Sequence, residues 1–202
     1  FLNFSFLQKV IFKDLCFELE SSNLIHIKGS NGSGKTTLCR LLSGLIKPTS
    51  GVIKLGDDQL GVHDHYKKNT AYLACETNGL FTELSALENM EFWLRLRGIN
   101  KKKEDIISDM LACKVAPKFF LETTPVKKFS TGMKRRLALL RSFSSNARLL
   151  ILDEPTNGLD QNGVGLFFDL LSKHLQNKGI AILISHDHQN FTSLTTSEIF
   201  LD

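Results

Sequence analysis

The amino-acid sequence predicts an α/β fold built on a mostly parallel sheet. Short apolar segments of strand length alternate with segments whose apolar residues recur at helical spacing. Two short segments, Leu149–Leu152 and Ile180–Ile184, are apolar at every position, which predicts central strands buried on both faces. The chain of 202 residues is long enough for one domain with a sizeable core and an inserted subdomain.

The other elements of this α/β core follow from local patterns. Lys35–Ser43 has the apolar spacing of a helix, and Gly44 is a plausible cap at its carboxyl end. Further strands are predicted at Leu24–Lys28, Gly51–Leu55, Thr70–Ala74 and Glu198–Leu201.

A helical segment separates the strand-rich portions of the chain. Ser85-Ala86-Leu87-Glu88 has the pattern of a capping box, and it opens a helix that continues to Gly98. A second helix is predicted at Glu104–Cys113. We therefore expect an α/β core formed by residues 1–84 and 146–202, with residues 85–145 inserted as a helical subdomain.

Composition excludes several classes of protein. The net charge of +4 is too small for a dedicated nucleic-acid binder, so no nucleic-acid partner is expected. The four cysteines are scattered without a CxxC pair, which favours buried thiols over a zinc site or disulfides. No apolar stretch approaches the roughly 20 residues that a membrane-spanning helix needs.

The strand predicted at Leu24–Lys28 runs into a phosphate-binding loop. Residues 29–37 match the pattern GxxxxGK[ST] in the strand–loop–helix context that this motif requires. Backbone N–H groups in such a loop surround phosphate oxygens, the lysine contacts the β- and γ-phosphates, and the following hydroxyl binds Mg²⁺. The motif predicts a P-loop NTPase core that binds a nucleotide through Gly29, Ser30, Asn31, Gly32, Ser33, Gly34, Lys35, Thr36 and Thr37.

Two carboxylates end the buried strand Leu149–Leu152. Because parallel strands present functional residues at their carboxyl ends, Asp153 and Glu154 should lie beside the phosphate-binding loop. Asp153 is placed to hold Mg²⁺ together with Thr36. Glu154 is placed to deprotonate the attacking water, and Lys35 completes the predicted catalytic set.

With these motifs, the chain resembles the ABC (ATP-binding cassette) ATPase family over nearly its whole length. Phe129-Ser130-Thr131-Gly132-Met133 is similar to the family's LSGGQ signature segment, although Thr131 and Met133 depart from it. The resemblance implies that Ser130 and Gly132 approach the γ-phosphate of an ATP molecule held by a second subunit. It also implies MgATP as the ligand and a homodimer or heterodimer of nucleotide-binding subunits.

Four more positions are assigned by this resemblance. Asp160, in Asn157-Gly158-Leu159-Asp160, resembles the D-loop aspartate that crosses the dimer interface, and His186 resembles the switch histidine at the γ-phosphate. Phe6 occupies the place of the aromatic residue that stacks on adenine, with Phe4 and Phe12 as alternatives. The family's Q-loop glutamine is missing. Glu76 is the predicted replacement at the metal, with Thr77 as the alternative.

The resemblance implies the ATPase subunit of a membrane transporter, peripheral to the cytoplasmic face of the inner membrane and bound to an integral membrane subunit. The compact length and the segment Leu84–Asn89 are similar to the haem-exporter ATPases of cytochrome c maturation, which implies haem as the substrate. A non-transport ABC ATPase acting in translation or DNA repair is the alternative. A P-loop kinase or GTPase is disfavoured by the signature segment, Asp160 and His186.

Overall fold

The computed structural model describes residues 2–6, 9–75, 78–185, 191 and 194–201. Its strands are β1 (Leu2–Phe6), β2 (Lys9–Leu15), β3 (Leu24–Gly29), β4 (Lys54–Leu55), β5 (Asp58–Gln59), β6 (Thr70–Leu73), β7 (Leu149–Asp153), β8 (Ile180–Ile184) and β9 (Ser197–Leu201). Its α-helices are α1 (Lys35–Leu42), α2 (Asp64–Lys68), α3 (Ala86–Leu96), α4 (Lys103–Ala112), α5 (Lys118–Thr123), α6 (Thr131–Phe143) and α7 (Gln161–Gln176).

Five strands form the principal sheet in the order β6-β7-β8-β3-β9. The pairings β3–β8, β3–β9 and β7–β8 are all parallel, and Ile182 of β8 lies opposite Ile25 on one side and Ile151 on the other. Every residue of β7 and β8 is buried, as their uninterrupted apolar sequences predict. The predicted α/β fold with a mostly parallel sheet is confirmed.

The chain divides into two compact units. The first comprises Phe1–Tyr72, Ala147–Glu154 and His174–Asp202, and the second comprises Leu73–Asn146 and Pro155–Lys173. The first unit has a core formed by β3, β7 and β8 together with α1, whose Leu38, Cys39 and Leu41 are fully buried. An antiparallel hairpin, β1–β2, adds Phe4 and Phe12 to this core.

The second unit is helical and has a separate core. Apolar residues of α3, α4 and α6 meet in it, including the buried Met90, Met110 and Leu137. The predicted capping box opens α3. The Ser85 hydroxyl accepts a hydrogen bond from the Glu88 backbone N–H, and the Glu88 carboxylate accepts one from the Ser85 backbone N–H at 2.7 Å.

Some local predictions were wrong. The strand predicted at Gly51–Leu55 is only Lys54–Leu55, because Gly51 has a φ of 99° and leaves the extended conformation. The prediction of buried thiols holds for Cys39 and Cys113 but fails for Cys16 and Cys75, which are exposed on segments outside the regular elements. Among the described residues, no helix is long and apolar enough to cross a membrane.

Candidate nucleotide-binding site

The phosphate-binding loop joins the end of β3 to the start of α1, as predicted. Gly29 is required by close packing, since a Cβ there would lie within 2.6 Å of the Ser33 hydroxyl oxygen. Gly34 has a φ of 97°, and a Cβ there would lie 2.8 Å from atoms of Ile11 and Phe12. Because its N-cap residue is Gly34, α1 has no side-chain cap. Its first turn also contains no acidic residue. The first N–H groups of α1 are therefore available to an anion.

The loop holds two polar groups whose placement suits a phosphate ligand. The Lys35 ammonium donates hydrogen bonds of 2.8 Å to the carbonyl oxygens of Gly29 and Ser30, so its charge lies directly over the loop. The Ser33 hydroxyl is buried without a hydrogen-bond partner among the described residues. An orphaned hydroxyl beside a lysine is a site where an added oxygen ligand would restore hydrogen bonding. Asn31 and Gly32 form the exposed tip of the loop, and Thr37 lies in the first turn of α1.

Thr36 and Asp153 meet as the sequence predicted. The Thr36 hydroxyl donates to a carboxylate oxygen of Asp153 at 3.1 Å, and the Tyr72 hydroxyl approaches the same oxygen at 3.5 Å. Burial, followed by the charges of Cys39 and Asp153, raises the pKa of Tyr72, so it remains a hydrogen-bond donor. Burial and the Asp153 carboxylate also raise the pKa of the Cys39 thiol well above its usual value.

Glu154 occupies a strained position at the carboxyl edge of the sheet. Its φ of 48° lies in the left-handed region that residues with a side chain seldom adopt. Its backbone N–H donates to the Ile184 carbonyl at 2.8 Å, so the pairing of β7 with β8 continues through it. Only 8% of the residue is exposed. Non-glycine residues held in this conformation are concentrated at functional sites.

The signature segment lies in the second unit, where Ser130 is the N-cap of α6. Its hydroxyl accepts a hydrogen bond from the Met133 backbone N–H at 3.2 Å. Gly132 packs closely, since a Cβ there would lie 3.3 Å from the Gly158 carbonyl oxygen. The start of α6 and the turn at Gly158 therefore contact each other within this unit, which explains why small residues occupy both places.

Asp160 is held by two groups of the same unit. Its carboxylate accepts a 2.5 Å hydrogen bond from the Arg136 guanidinium and a 2.8 Å bond from the Gly163 backbone N–H at the start of α7. The Arg136 hydrogen bond, followed by that of Gly163, lowers the pKa of Asp160.

The structure does not describe the side chains of the remaining predicted site residues. Glu76, its alternative Thr77 and His186 are outside the described residues. Phe6 ends β1, and only its backbone is described. The alternatives Phe4 and Phe12 are both buried in the core of the first unit, which leaves neither ring accessible to adenine in this arrangement.

The profile of the ABC transporter family matches residues 12–157. The chain belongs to the ABC transporter family. The chain is 35% identical over 195 residues to the cytochrome c biogenesis ATP-binding export protein CcmA of Histophilus somni, across 96% of this chain and 87% of that protein. The protein of the same name from Escherichia coli strain K12 is 36% identical over 184 residues, which cover 91% of this chain and 85% of that protein.

Solved structures of ABC ATPases have the same fold. The ATP-binding subunit of an ABC transporter gives a TM-score of 0.84 at 22% identity, over 99% of this chain and 83% of that chain. A dimeric ATP-binding cassette in a post-hydrolysis state, bound to ADP and Pi, gives a TM-score of 0.84 at 20% identity, over 100% of this chain and 91% of that chain. These structures show the fold. The predicted ATP-binding and ATP-hydrolysing activity follows from the chain's membership of the ABC transporter family, so the chain is an ABC ATPase.

The described residues of this ABC ATPase suit MgATP. Thr36 and Asp153 offer a hydroxyl and a carboxylate, the hard oxygen ligands that Mg²⁺ prefers. No cluster of three or more His, Cys, Asp or Glu side chains forms a metal site within the described ranges. A magnesium ion held by only one or two protein groups takes its other ligands from phosphates and water, as is usual for nucleotide enzymes.

Sequence reasoning missed Arg135, which follows the signature segment. It belongs to the basic run at residues 134–136, and it is only 3% exposed. Its guanidinium donates to the carbonyl oxygens of Pro155 at 3.0 Å and Ala74 at 2.9 Å, and to the side-chain oxygen of Asn78 at 3.2 Å. No local sequence signal distinguishes it from its partly buried basic neighbours.

Proposed function

We propose that this ABC ATPase powers a membrane exporter for cytochrome c biogenesis, and that haem is the exported substrate. The proposal is supported chiefly by the 35% identity, over 96% of the chain, to a relative named for cytochrome c biogenesis export. We place the subunit at the cytoplasmic face of the inner membrane, bound to an integral membrane subunit. Residues 1–84 and 146–202 would form its α/β core, and residues 85–145 its helical subdomain.

In the proposed ATP site, the chain's own groups hold and orient the triphosphate. Lys35 exchanges its bonds to the Gly29 and Ser30 carbonyls for bonds to phosphate oxygens, and the Ser33 hydroxyl gains a partner. Thr36 and Asp153 would hold Mg²⁺, which when bound polarises the phosphate oxygens as a Lewis acid. We assign adenine stacking to Phe6 and a contact with the metal or its water to Glu76.

Hydrolysis requires a base and a water molecule in line with the γ-phosphate. We assign the base role to Glu154. It takes a proton from the water as the new P–O bond forms and the bond from the γ-phosphorus to the β,γ-bridging oxygen breaks. His186 would orient the water. The negative charge that develops on the phosphate oxygens would be stabilised by Lys35 and by the first N–H groups of α1.

We propose that two subunits close around MgATP. Ser130 and Gly132 of one subunit would approach the ATP of the other, at the amino-terminal end of α6, where the helix dipole favours an anion. Asp160 would exchange its bond to Arg136 for a contact with the second subunit. Hydrolysis would reopen the dimer, and the cycle would drive the membrane subunit.

The test uses the Glu154→Gln variant. We expect it to bind MgATP but to hydrolyse it about 10²–10⁴-fold more slowly, because the general base is removed. It should therefore accumulate as a nucleotide-bound dimer, as measured by light scattering and turnover. Unchanged turnover would remove Glu154 from the base role.

The same variant, trapped with MgATP and purified from native membranes, tests the transport assignment. We expect a multi-span membrane protein to copurify, and we expect deletion of the gene to stop cytochrome c assembly. Recovery only with ribosomes or nucleic acid would contradict transport and support the non-transport alternative. Normal cytochrome c assembly after deletion would contradict haem export alone.

A further inference from the structure

Two arginines of α6 hold residues 74–75 and 78–81 of the second unit, the described residues that we together call segment 74–81. Arg135 donates to the Ala74 carbonyl and to the Asn78 side chain. Arg141 donates to the Gly79 carbonyl at 3.0 Å. Residues on both sides of Glu76, the predicted Q-loop position, thus accept hydrogen bonds from α6, the helix that begins at the signature segment.

Arg135 also reaches the residue that follows Glu154. Its Nε–H donates to the Pro155 carbonyl, while its Nη1 donates to Ala74, so one planar group connects two stretches of backbone. A second link runs beside it, from the Asn157 side-chain amide to the Cys75 sulfur at 3.7 Å. Because Pro155 is bonded covalently to Glu154, a displacement of segment 74–81 would be transmitted through the Pro155 backbone to the proposed base.

The chemistry of Arg135 suits this connection. A buried charged group must be satisfied by hydrogen bonds, and the guanidinium presents donors in a fixed planar arrangement. Lysine presents a single ammonium group, which cannot reproduce that arrangement. The requirement is therefore for the shape of the guanidinium as well as for its charge.

We propose that Arg135 is a positioning residue for ATP hydrolysis, which fixes the Pro155 carbonyl, directly after Glu154 in the chain, relative to segment 74–81. This inference rests on the proposed role of Glu154. In this proposal, Arg135 takes no part in holding the nucleotide. Its loss should therefore lower the rate of hydrolysis without an equal loss of ATP affinity.

The chain contains its own reporter of segment 74–81. Trp93 is the single tryptophan of the sequence. Its ring stacks on Phe81 with centroids 5.9 Å apart, and the Arg141 guanidinium lies 4.7 Å from its centroid. Movement of the segment should therefore change the emission of Trp93.

The experiment compares Arg135→Gln and Arg135→Lys with Lys134→Gln, a control one residue away whose ammonium donates to the Lys127 carbonyl at 3.3 Å. In the purified full chain, we expect Arg135→Gln to lower kcat about 10–100-fold, as small misplacements of catalytic groups do, with the Kd for MgATP changed less than about threefold. Arg135→Lys should give an intermediate kcat, and the control should retain the native rate. MgATP should shift Trp93 emission in the native chain and the control, but more weakly in Arg135→Gln.

A native kcat in Arg135→Gln would overturn the proposal, and so would a loss of ATP affinity as large as the loss of kcat. An equal Trp93 shift in Arg135→Gln, or no shift in the native chain, would overturn the link to segment 74–81. If the glutamine variant fails to fold, the lysine variant is judged by the same criteria. A native chain without ATP binding or hydrolysis would instead contradict the proposed function itself.

Discussion

Helices α3 and α1 differ in how the unpaired backbone N–H groups of their first turns are satisfied. Helix α3 satisfies its own first N–H groups, because Ser85 and Glu88 form a complete capping box. Helix α1, whose N-cap residue is Gly34, has no side-chain cap and no acidic residue in its first turn. The first arrangement stabilises the isolated chain, whereas the second leaves donors and a positive helix end for an anion. Helix α5 also lacks a side-chain cap, so the start of α1 points to an anion only together with Lys35 and the unpartnered Ser33 hydroxyl beside it.

The largest expected effect is a loss of MgATP affinity on substitution at the uncapped start of α1. Lys35→Ala removes the charge that lies over the phosphate-binding loop, and we expect MgATP affinity to fall at least about 100-fold, since hydrogen bonds to charged groups are among the strongest. Isothermal titration calorimetry measures this directly. Native affinity in Lys35→Ala would contradict the assignment of the phosphate site, and Ser85→Ala serves as the matched control with unchanged binding.

A smaller effect, confined to stability, is expected at the capped start. Ser85→Ala removes the hydroxyl that accepts from Glu88, and loss of such a cap costs about 1 kcal/mol of the free energy of unfolding. Urea denaturation measures the difference. If Ser85→Ala also weakened MgATP binding, the conclusion that the start of α3 serves stability alone would be contradicted.

The smallest expected effect is a dependence on pH. Hydrogen bonds from the Ser85 backbone N–H and then from its hydroxyl lower the pKa of Glu88. Folding therefore favours the ionised carboxylate. Its contribution is present above the pKa of the unfolded chain and is lost as the pH falls through the lowered folded pKa. The free energies of unfolding in urea of the native chain and Glu88→Gln should differ at neutral pH and converge in acid. A difference that stays constant with pH would exclude ionisation of this carboxylate as the source of the difference.

The two helix starts also show what the sequence alone can reveal. The capping box was predictable because its partners are three residues apart, and the phosphate-binding loop because its residues are contiguous. The connections of Arg135 were not, since its acceptors lie 20, 57 and 61 residues away along the chain. The β1–β2 hairpin was missed for a related reason: its pairing contains register shifts, and no turn residue marks its end.

The same distinction applies to the candidate site. Lys35, Thr36 and Asp153 were named from their motifs, and the structure brings Thr36 and Asp153 into contact. The bond from Arg136 to Asp160 could not be foreseen, because either residue alone is an ordinary surface charge. Motifs identify which residues matter, whereas the hydrogen bonds between motifs require the fold.

The left-handed backbone at Glu154 has a consequence for how the protein can change over generations. Glycine adopts that conformation without steric cost, whereas a residue with a Cβ costs about 1–2 kcal/mol there. Selection for stability alone would therefore favour glycine at this position and discard the carboxylate. Glutamate in this buried, strained place therefore lowers the stability of the fold, a cost that the chemistry proposed there would explain.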